Sequence, residues 1–417
     1  METHTWEEFF MEKTLWTRNF TIITLGTVIS AVGGTAMGFA MGFVVFDNTG
    51  STLLSAVFIA VASIPDILLP LLAAPYLDNF RRKPVIVGLD YLNGALYLLF
   101  GWYLLNRPFQ YELYLGLSLL FGSTGAVYQL AYGSLYPNLI PEGFAQKGYT
   151  VSGMIYPTVL MVMTPLASVL YTRLGLGPIF LAEGVLLLLA ASVETRIRVE
   201  EHTRKGEGFS LGDYIRDFRE GFAYLKKEKG LLRIYGYMPI TQAVGQATDP
   251  LIRAWFRTAP GLNITMYALF TTAQFIGRTI GGLVHYKVQI PPEKRFSLAF
   301  LVYVTYDVMD TVLLWLGFPL MLVNRAVCGF LGINSATLRE SSVQNYLPDN
   351  MRSKINAVFN VLYAVAPAAL TLAVGALGEV MDYRLCVTLV SASSLIFCYL
   401  IMWRGRQDVK KVYNRAY

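Results

Sequence analysis

The chain has 417 residues, of which 54% are hydrophobic and only 15% are charged, with a formal net charge of +6. Soluble domains carry about 25% charged residues, so this chain lacks the polar residues that would cover a soluble fold. The composition excludes a soluble globular protein and predicts a polytopic membrane protein.

Apolar blocks recur along the chain, and each is long enough to cross a bilayer, which takes about 20 helical residues. The blocks are rich in Leu, Gly and Ala and show no alternation, which favours helices over a β-barrel. We therefore predict an all-α protein with twelve transmembrane helices. The predicted spans are 19–46, 52–77, 84–105, 111–139, 148–172, 178–196, 231–256, 263–286, 296–316, 318–342, 355–378 and 384–403.

Lysine and arginine are concentrated in alternate loops, above all in the segments around 81–83 and 196–233. The positive-inside rule then predicts that both termini are cytoplasmic, in a plasma or inner membrane. The first span is too long for a signal-peptide core, so we expect no cleaved signal. This bias accounts for the net charge, so we expect no nucleic-acid partner.

The sequence repeats itself at an offset of 207 residues, from Asn138 to Asn345. Asn138-Leu-Ile-Pro-Glu matches Asn345-Tyr-Leu-Pro-Asp, and the same offset pairs Gly122 with Gly329. We predict a six-helix bundle at 1–195, a cytoplasmic linker with an amphipathic helix at 196–229, and a second bundle with a tail at 230–417. Parallel repeats of this kind place a substrate site between the halves near the midplane of the membrane.

Four stretches resemble the major facilitator superfamily, and within it the macrolide-efflux and siderophore-exporter type. The resemblance covers nearly the whole chain and implies the major facilitator fold, with two six-helix pseudo-repeats, and a transport function. Two positions depart from the proton antiporters: Gly122 stands near the place of the usual span 4 arginine, and Thr164-Pro165 replaces a Gly-Pro pair. The four stretches are Asp78-Asn-Phe-Arg-Arg82-Lys83-Pro-Val-Ile-Val-Gly-Leu-Asp90, Pro137-Asn-Leu-Ile-Pro141-Glu142, Asp217-Phe-Arg-Glu-Gly221-Phe-Ala-Tyr-Leu-Lys-Lys-Glu-Lys-Gly230-Leu-Leu and Met351-Arg352-Ser-Lys-Ile-Asn356-Ala357.

Ionisable residues inside spans are costly and are therefore candidates for function. Asp66 lies in the middle of span 2, which partly borders the central cavity in the fold that the resemblance implies, and it could couple a proton to transport or bond to a neighbouring helix. Arg278 and Arg325 each need an acid or a substrate anion nearby. Asp307 and Asp310 in span 9 are their expected partners, and Asp307 could serve only to neutralise one arginine.

Two further charge groups lie near the ends of spans. Asp249 and Arg253 are four residues apart in span 7, which suits an extracellular gate or a structural bridge. Glu183, near the outer end of span 6, is expected to reach the membrane interface. On the cytoplasmic side, a gate network is expected from Asp78, Arg82, Lys83 and Asp90. Its alternative is a simple positive-inside anchor, which explains the bases but not the acids.

Tyrosines recur at helical spacing on span 4, and the repeat pairs Tyr156 of span 5 with Tyr363 of span 11. We expect Tyr128, Tyr132, Tyr156 and Tyr363 to offer stacking surfaces to a bulky amphipathic molecule. The alternative is that these rings only pack between helices or lie at the membrane interface.

The leading hypothesis is a proton-coupled secondary exporter of a drug-like or macrolide-like compound, which works by alternating access as a monomer in the lipid bilayer. A second hypothesis is a transporter of an anion, such as a metallophore, a lysolipid or an organic acid, bound by the two span arginines. A membrane prenyl-type enzyme is a third, suggested only by Asp307-Val-Met-Asp310. The sequence has neither a Walker loop nor a Cys/His metal spacing, so we expect neither ATP, a metal nor another cofactor.

Overall fold

The structure is a computed structural model that describes residues 14–77, 81–199, 211–288 and 290–415. These ranges contain helices and no strand. The α-helices are α1 (Arg18–Thr49), α2 (Thr52–Leu77), α3 (Arg82–Asn106), α4 (Tyr111–Leu135), α5 (Ala145–Leu174), α6 (Leu176–Glu194), α7 (Leu211–Lys227), α8 (Lys229–Thr258), α9 (Ile264–Lys287), α10 (Pro292–Val312), α11 (Phe318–Tyr346), α12 (Asp349–Leu377), α13 (Tyr383–Phe397) and α14 (Arg406–Tyr413).

Twelve of these helices fall on the twelve predicted spans, with α13 continued by a π-helical segment at Cys398–Trp403, so the all-α polytopic prediction is confirmed. We refer to α1–α6 as the N half and to α8–α13 as the C half. Within the described residues, nine helices are both long and apolar enough to cross a membrane. Helices α8, α9 and α11 do not meet that composition, because they carry residues such as Gln246, Gln274 and Arg325.

The two short amphipathic helices lie at one end of the bundle. Helix α7 packs along α12, where Lys354 Nζ is 3.1 Å from Asp217. Helix α14 packs on the start of α8 and buries Tyr413, whose hydroxyl is 2.6 Å from that of Tyr303. The side-chain amide of Asn19 at the start of α1 donates to the backbone of Arg198 after α6. We call this end of the bundle the linker end and the opposite end the far end.

Glycines allow the closest helix contacts, and two of these glycines, Gly122 and Gly329, are paired by the 207-residue sequence repeat. A Cβ added at Gly122 on α4 would meet the carbonyl oxygen of Ala62 on α2, and one added at Gly329 on α11 would meet that of Gln274 on α9. Span 4 thus packs on span 2 as span 10 packs on span 8, with small residues at both interfaces. The sequence repeat therefore corresponds to a repeated helix packing.

The chain turns sharply at the far end. Gly50 follows α1 with φ 67° and caps it by donating to the Phe46 carbonyl, in the left-handed conformation that glycine adopts readily. Gly175, with φ 77°, separates α5 from α6 in a single residue. These tight turns bring α1 and α2, and α5 and α6, back through the bundle as antiparallel neighbours.

Candidate functional site

A cavity of about 700 Å³ lies between the two halves, bounded by α1–α4 on one side and by α8 and α9 on the other. Much of its wall is apolar and aromatic. The lining includes Met37, Met41, Phe58, Ile59, Tyr97 and Phe121. Tyr97 and Phe121 are stacked with parallel rings 3.9 Å apart, which gives the N-half wall a flat aromatic surface.

Asp66 lies on this wall and is exposed to the cavity. Its carboxyl group has neither a hydrogen bond nor an ion pair among the described residues. Pro65, beside it, is buried and lies within the helix contact made by Gly122. The Asp66 carboxyl therefore faces the space between the halves, and the described residues provide no base to neutralise it.

The predicted pair of Asp249 and Arg253 is present and lies on the opposite wall. Arg253 Nε donates to Asp249 at 2.6 Å, and the Tyr267 hydroxyl donates to the other carboxyl oxygen at 2.6 Å. The guanidinium group also lies over the rings of Tyr267 and Phe43, 5.1 and 5.4 Å from their centroids. Because Phe43 belongs to the N half, Arg253 reaches across the gap between the halves.

A second cavity of about 220 Å³ extends from the first into the C half. It is lined by the polar residues that set α8, α9 and α11 apart from the other long helices, including Gln242, Gln246, Gln274 and Arg325. Arg325 forms an ion pair with Asp310, and its guanidinium group also donates to Asn324 at 2.9 and 3.2 Å. This pair is largely buried, with side chains that are 7% and 16% exposed.

The expected role of Asp307 as partner of Arg325 or Arg278 was wrong. Asp307 is buried and accepts a hydrogen bond of 3.1 Å from Tyr237 on α8 instead. Arg278 is exposed and has no acid within 4.0 Å in the described part of the chain. The rotation of α10 turns Asp310 toward α11 and Asp307 toward α8. Of these two acids, Asp310 is therefore the one that neutralises an arginine.

Polar contacts join the halves at the far end. Arg257 on α8 donates to Asp47 on α1 at 2.6 Å, and Tyr171 donates to the same carboxyl group at 2.9 Å. Arg253, predicted as part of an extracellular gate, lies one helical turn nearer the cavity than Arg257 on the same helix.

A second far-end link is formed by Glu379, just after α12. Its carboxyl group accepts from the Leu53 amide at 2.8 Å and from the hydroxyls of Ser51 and Thr52 at 2.8 and 3.1 Å. Partial burial alone would raise the pKa of Glu379, but these hydrogen bonds outweigh it and lower that pKa below its ordinary value. The C half thus caps the N-terminus of α2, a helix end that favours negative charge.

The predicted cytoplasmic network includes Asp78, which lies outside the described residues, so the network as a whole stays a prediction. Lys83 donates to the carbonyl oxygens of Thr195 and Ile197, at 2.8 and 2.6 Å, because the start of α3 lies beside the unsatisfied carbonyls at the end of α6. Arg82 is the first residue of α3 and precedes Lys83. Asp90 lies two helical turns farther along α3 and is buried, so it does not join Lys83.

Two buried acids were missed or misplaced by the sequence analysis. Glu183 was expected to reach the membrane interface, but it is 4% exposed and faces Gly33 of α1. Glu194, at the end of α6, is fully buried, faces Gly26 of α1, and lies within hydrogen-bonding reach of Asp90. The sequence feature that could have indicated space for these two acids is the spacing of Gly26 and Gly33, which puts both glycines on one face of α1.

Three of the candidate tyrosines, Tyr128, Tyr132 and Tyr156, belong to the N half, and the fourth, Tyr363, belongs to the C half. Tyr128 and Tyr132 stack at 6.0 Å within the N half, and the Tyr132 hydroxyl is 3.0 Å from that of Thr27 on α1. Tyr156 on α5 is 46% exposed. Tyr363 packs on Phe359 of its own helix at 4.4 Å. No ring contact joins Tyr156 to Tyr363, so this structure does not bring the repeat mates together.

Comparisons with known proteins agree with this architecture. No family model matches the chain. The uncharacterized MFS-type transporter YkuC of Bacillus subtilis is 24% identical over 293 residues, which cover 65% of this chain and 66% of that protein. Macrolide efflux protein A of Streptococcus pyogenes is 23% identical over 288 residues, which cover 64% of this chain and 67% of that protein. The alignments thus span about two thirds of these relatives' own length.

Among solved structures, the nucleoside transporter NupG superposes with a TM-score of 0.71 at 11% identity. The superposition covers 93% of this chain and 99% of that one. At this sequence identity the likeness establishes the fold, and it carries no information about the substrate.

Proposed function

We propose that this chain, which has the major facilitator fold and resembles the macrolide-efflux transporters of that superfamily, is a proton-coupled exporter of amphipathic organic compounds. One observation carries the proposal: the cavity between the halves pairs an aromatic wall with an unneutralised carboxyl group, that of Asp66. An apolar cavity with a few polar groups is the usual form of a small-molecule site.

The distribution of charge supports transport outward by alternating access. Basic residues are concentrated at the linker end, which the positive-inside rule assigns to the cytoplasm. At the far end, the Arg257–Asp47 ion pair and the Glu379 cap join the halves. The structure then corresponds to a state closed to the outside, and opening to the outside would require these links to break.

The charges of the cavity favour a neutral or cationic substrate over an anion. Arg253 is neutralised by Asp249, and Arg325 by Asp310. Among the described residues that line the two cavities, Asp66 is then the one charged group without a partner. An anion would meet no free base here and would be repelled by the Asp66 carboxylate, which argues against the metallophore, lysolipid and organic-acid alternative.

Coupling follows if Asp66 binds either a proton or the substrate but not both. A protonated Asp66 presents no charge to a cation, whereas an ionised Asp66 attracts one. Loss of the proton would strengthen substrate binding on the cytoplasmic side, and uptake of a proton from outside would weaken it. The difference in proton concentration between the two aqueous phases thereby drives the transport cycle through the carboxyl group of Asp66.

The prenyl-type enzyme has less support from the geometry. Diphosphate chemistry of that kind needs carboxylates gathered around a divalent cation. Asp307 is hydrogen-bonded to Tyr237 on α8, whereas Asp310 is paired with Arg325 on α11. The two carboxyl groups thus serve different partners. The proteins similar to this chain are also transporters.

The test is proton flux in proteoliposomes that contain a pH-sensitive dye, with wild type, Asp66→Asn and the control Glu112→Gln. Glu112 is an exposed acid in the first turn of α4, outside the cavity. Cationic, neutral and anionic amphiphiles of matched size are added in turn. We expect cationic compounds to trigger flux in wild type and in Glu112→Gln, and at least tenfold less in Asp66→Asn.

Two results would contradict the proposal. Flux that Asp66→Asn leaves intact would remove Asp66 from coupling. Saturable counterflow of anionic compounds alone would restore the anion hypothesis and would mean that an arginine leaves its aspartate when substrate binds.

A further inference from the structure

The N half contains three buried carboxyl groups that the main cavity does not account for. Glu194 is fully buried, and Asp90 and Glu183 are 3% and 4% exposed. Asp90 lies on α3, and the two glutamates lie on one face of α6, eleven residues apart. An ionised carboxylate at such a position is costly unless a base or several donors surround it.

Helix α1 leaves room for these groups and supplies no charge. A Cβ added at Gly26 would overlap the Glu194 carboxyl, and one added at Gly33 would overlap that of Glu183. Between these glycines, the Ser30 hydroxyl is buried without a hydrogen-bond partner, as is that of Thr24 on the same helix. Glu183 and Glu194 therefore face a helix that offers glycine backbone and hydroxyl groups.

The titratable groups around the acids are tyrosines and other acids. Tyr97 of α3, Tyr128 and Tyr132 of α4 and Tyr156 of α5 are within electrostatic range of one or more of them. The nearest described lysine at this end of α3, Lys83, donates to carbonyl oxygens beyond α6. No ion pair reaches Asp90, Glu183 or Glu194 within the described ranges.

The contact between Asp90 and Glu194 requires a proton. Their carboxyl groups are within hydrogen-bonding reach of each other, yet Asp90 Oδ2 and both Glu194 oxygens accept from no donor among the described residues. An ionised carboxylate only accepts, so two such groups can bond to each other only if one of them carries hydrogen. Like charges so close together cannot both remain ionised.

We propose that Asp90 and Glu194 share one proton, and that this pair is a proton-binding site of the N half separate from Asp66. When one oxygen gives up the hydrogen, the other carboxyl takes it, so the pair keeps one proton and one negative charge. Glu183, whose Oε2 also lacks a partner, continues the line of acids along α6 toward Tyr97, and Tyr97 borders the main cavity. The line thus leads from the linker end of the N half to the substrate cavity.

The use of this proton in transport depends on the proposed function, but its presence does not. Infrared spectra of the purified full chain at neutral pH, recorded in H₂O and D₂O, detect the carbonyl band of protonated carboxyl groups and its shift on deuteration. We expect Asp90→Asn and Glu194→Gln each to remove one component of this band. Asp66→Asn and Glu112→Gln should leave that component in place.

The proposal is overturned if the wild-type spectrum shows no protonated carboxyl band at neutral pH. It is also overturned if the band is the same in wild type, Asp90→Asn and Glu194→Gln. Because the wild-type measurement needs no variant, a misfolded variant does not decide the matter. Glu194→Gln replaces one carboxyl of the pair by a neutral amide of the same shape that can donate to Asp90, so its thermal unfolding should match that of wild type; strong destabilisation would contradict a hydrogen shared between the two groups.

Proton flux then separates the two proposals. A protonated pair together with flux that is independent of Asp66 would leave the N-half site standing and refute coupling through Asp66. Loss of coupling in Asp66→Asn together with a spectrum that Glu194→Gln does not change would support coupling through Asp66 and refute the N-half site. If both proposals hold, Glu194→Gln should lower the number of protons moved per substrate while counterflow of the substrate continues.

Discussion

Replacing Arg325 by methionine should destabilise the C half strongly, because it leaves Asp310 without its base. The pair is largely buried, and Arg325 also bonds to Asn324 and lies over the Phe270 ring at 5.4 Å from its centroid. Removing one partner of a buried ion pair costs about 3–5 kcal/mol. The 220 Å³ cavity beside the pair gives water access to Asp310, so we expect the lower limit, about 3 kcal/mol.

A loss of about 3 kcal/mol corresponds to a change of about 100-fold in the ratio of folded to unfolded protein. Asp310→Asn in the same chain removes the charge that was left unpaired. The double variant should therefore lie within about 1 kcal/mol of wild type, with a large coupling energy between the two sites. The assay is unfolding in detergent of both single variants and the double variant.

Arg278→Met provides the matched control, since Arg278 is exposed and has no acid within 4.0 Å among the described residues. It should change stability by less than about 0.5 kcal/mol. Single variants of Arg325 and Asp310 whose effects simply add would refute the ion-pair argument. Counterflow in the double variant then tests the role of the pair: retained transport means that the pair is structural, and lost transport means that the substrate or the proton uses it.

Two other predictions concern helix contacts. Gly33→Ala places a Cβ against the Glu183 carboxyl and should cost about 1–3 kcal/mol in thermal unfolding, whereas Gly34→Ala, where a Cβ meets open space, should be neutral or stabilising; equal effects would contradict the packing. Glu379→Ala should weaken far-end closure, raising maleimide labelling of Met41→Cys from that side. Because the folded pKa of Glu379 is depressed, its contribution to stability is present above the ordinary value of 4.5 and lost as pH falls through the lower folded pKa; thermal unfolding that does not change with pH between those limits would contradict it.

The helices could be predicted from sequence because their stabilisation in a membrane is local. Every backbone hydrogen bond must be made within the helix, so an apolar block of sufficient length predicts a helix regardless of its neighbours. The amphipathic segment 211–227 gave helix α7 for a similarly local reason, since its periodicity alone separates an apolar from a polar face. Even the polar helices α8, α9 and α11 were found, because the repeat requires six spans after the linker.

The partners of the ionisable residues could not be predicted, because they depend on how each helix is rotated about its axis. Asp307 and Asp310 are one turn apart, and the sequence alone does not say which of them faces α11. Glu183 was wrongly assigned to the interface because its distance from the end of the span suggested exposure. Only the opposing Gly33 shows that α1 leaves space for a buried carboxyl at that depth.

The ion pair that joins the two halves at the far end has a more exposed arginine than the pair within the C half, and this difference fits the proposed alternation. Within the C half, the Arg325 side chain is only 7% exposed where it meets Asp310. Across the far end, the Arg257 side chain is 42% exposed where it meets Asp47, whose side chain is 11% exposed, and solvent around the guanidinium group weakens such a pair. In the proposed cycle, rocking of the halves would break this partly exposed pair and preserve the more buried pair of Arg325 and Asp310. A transporter that must open and close in each cycle requires this order of strengths, since a buried pair across the interface would lock it in one state.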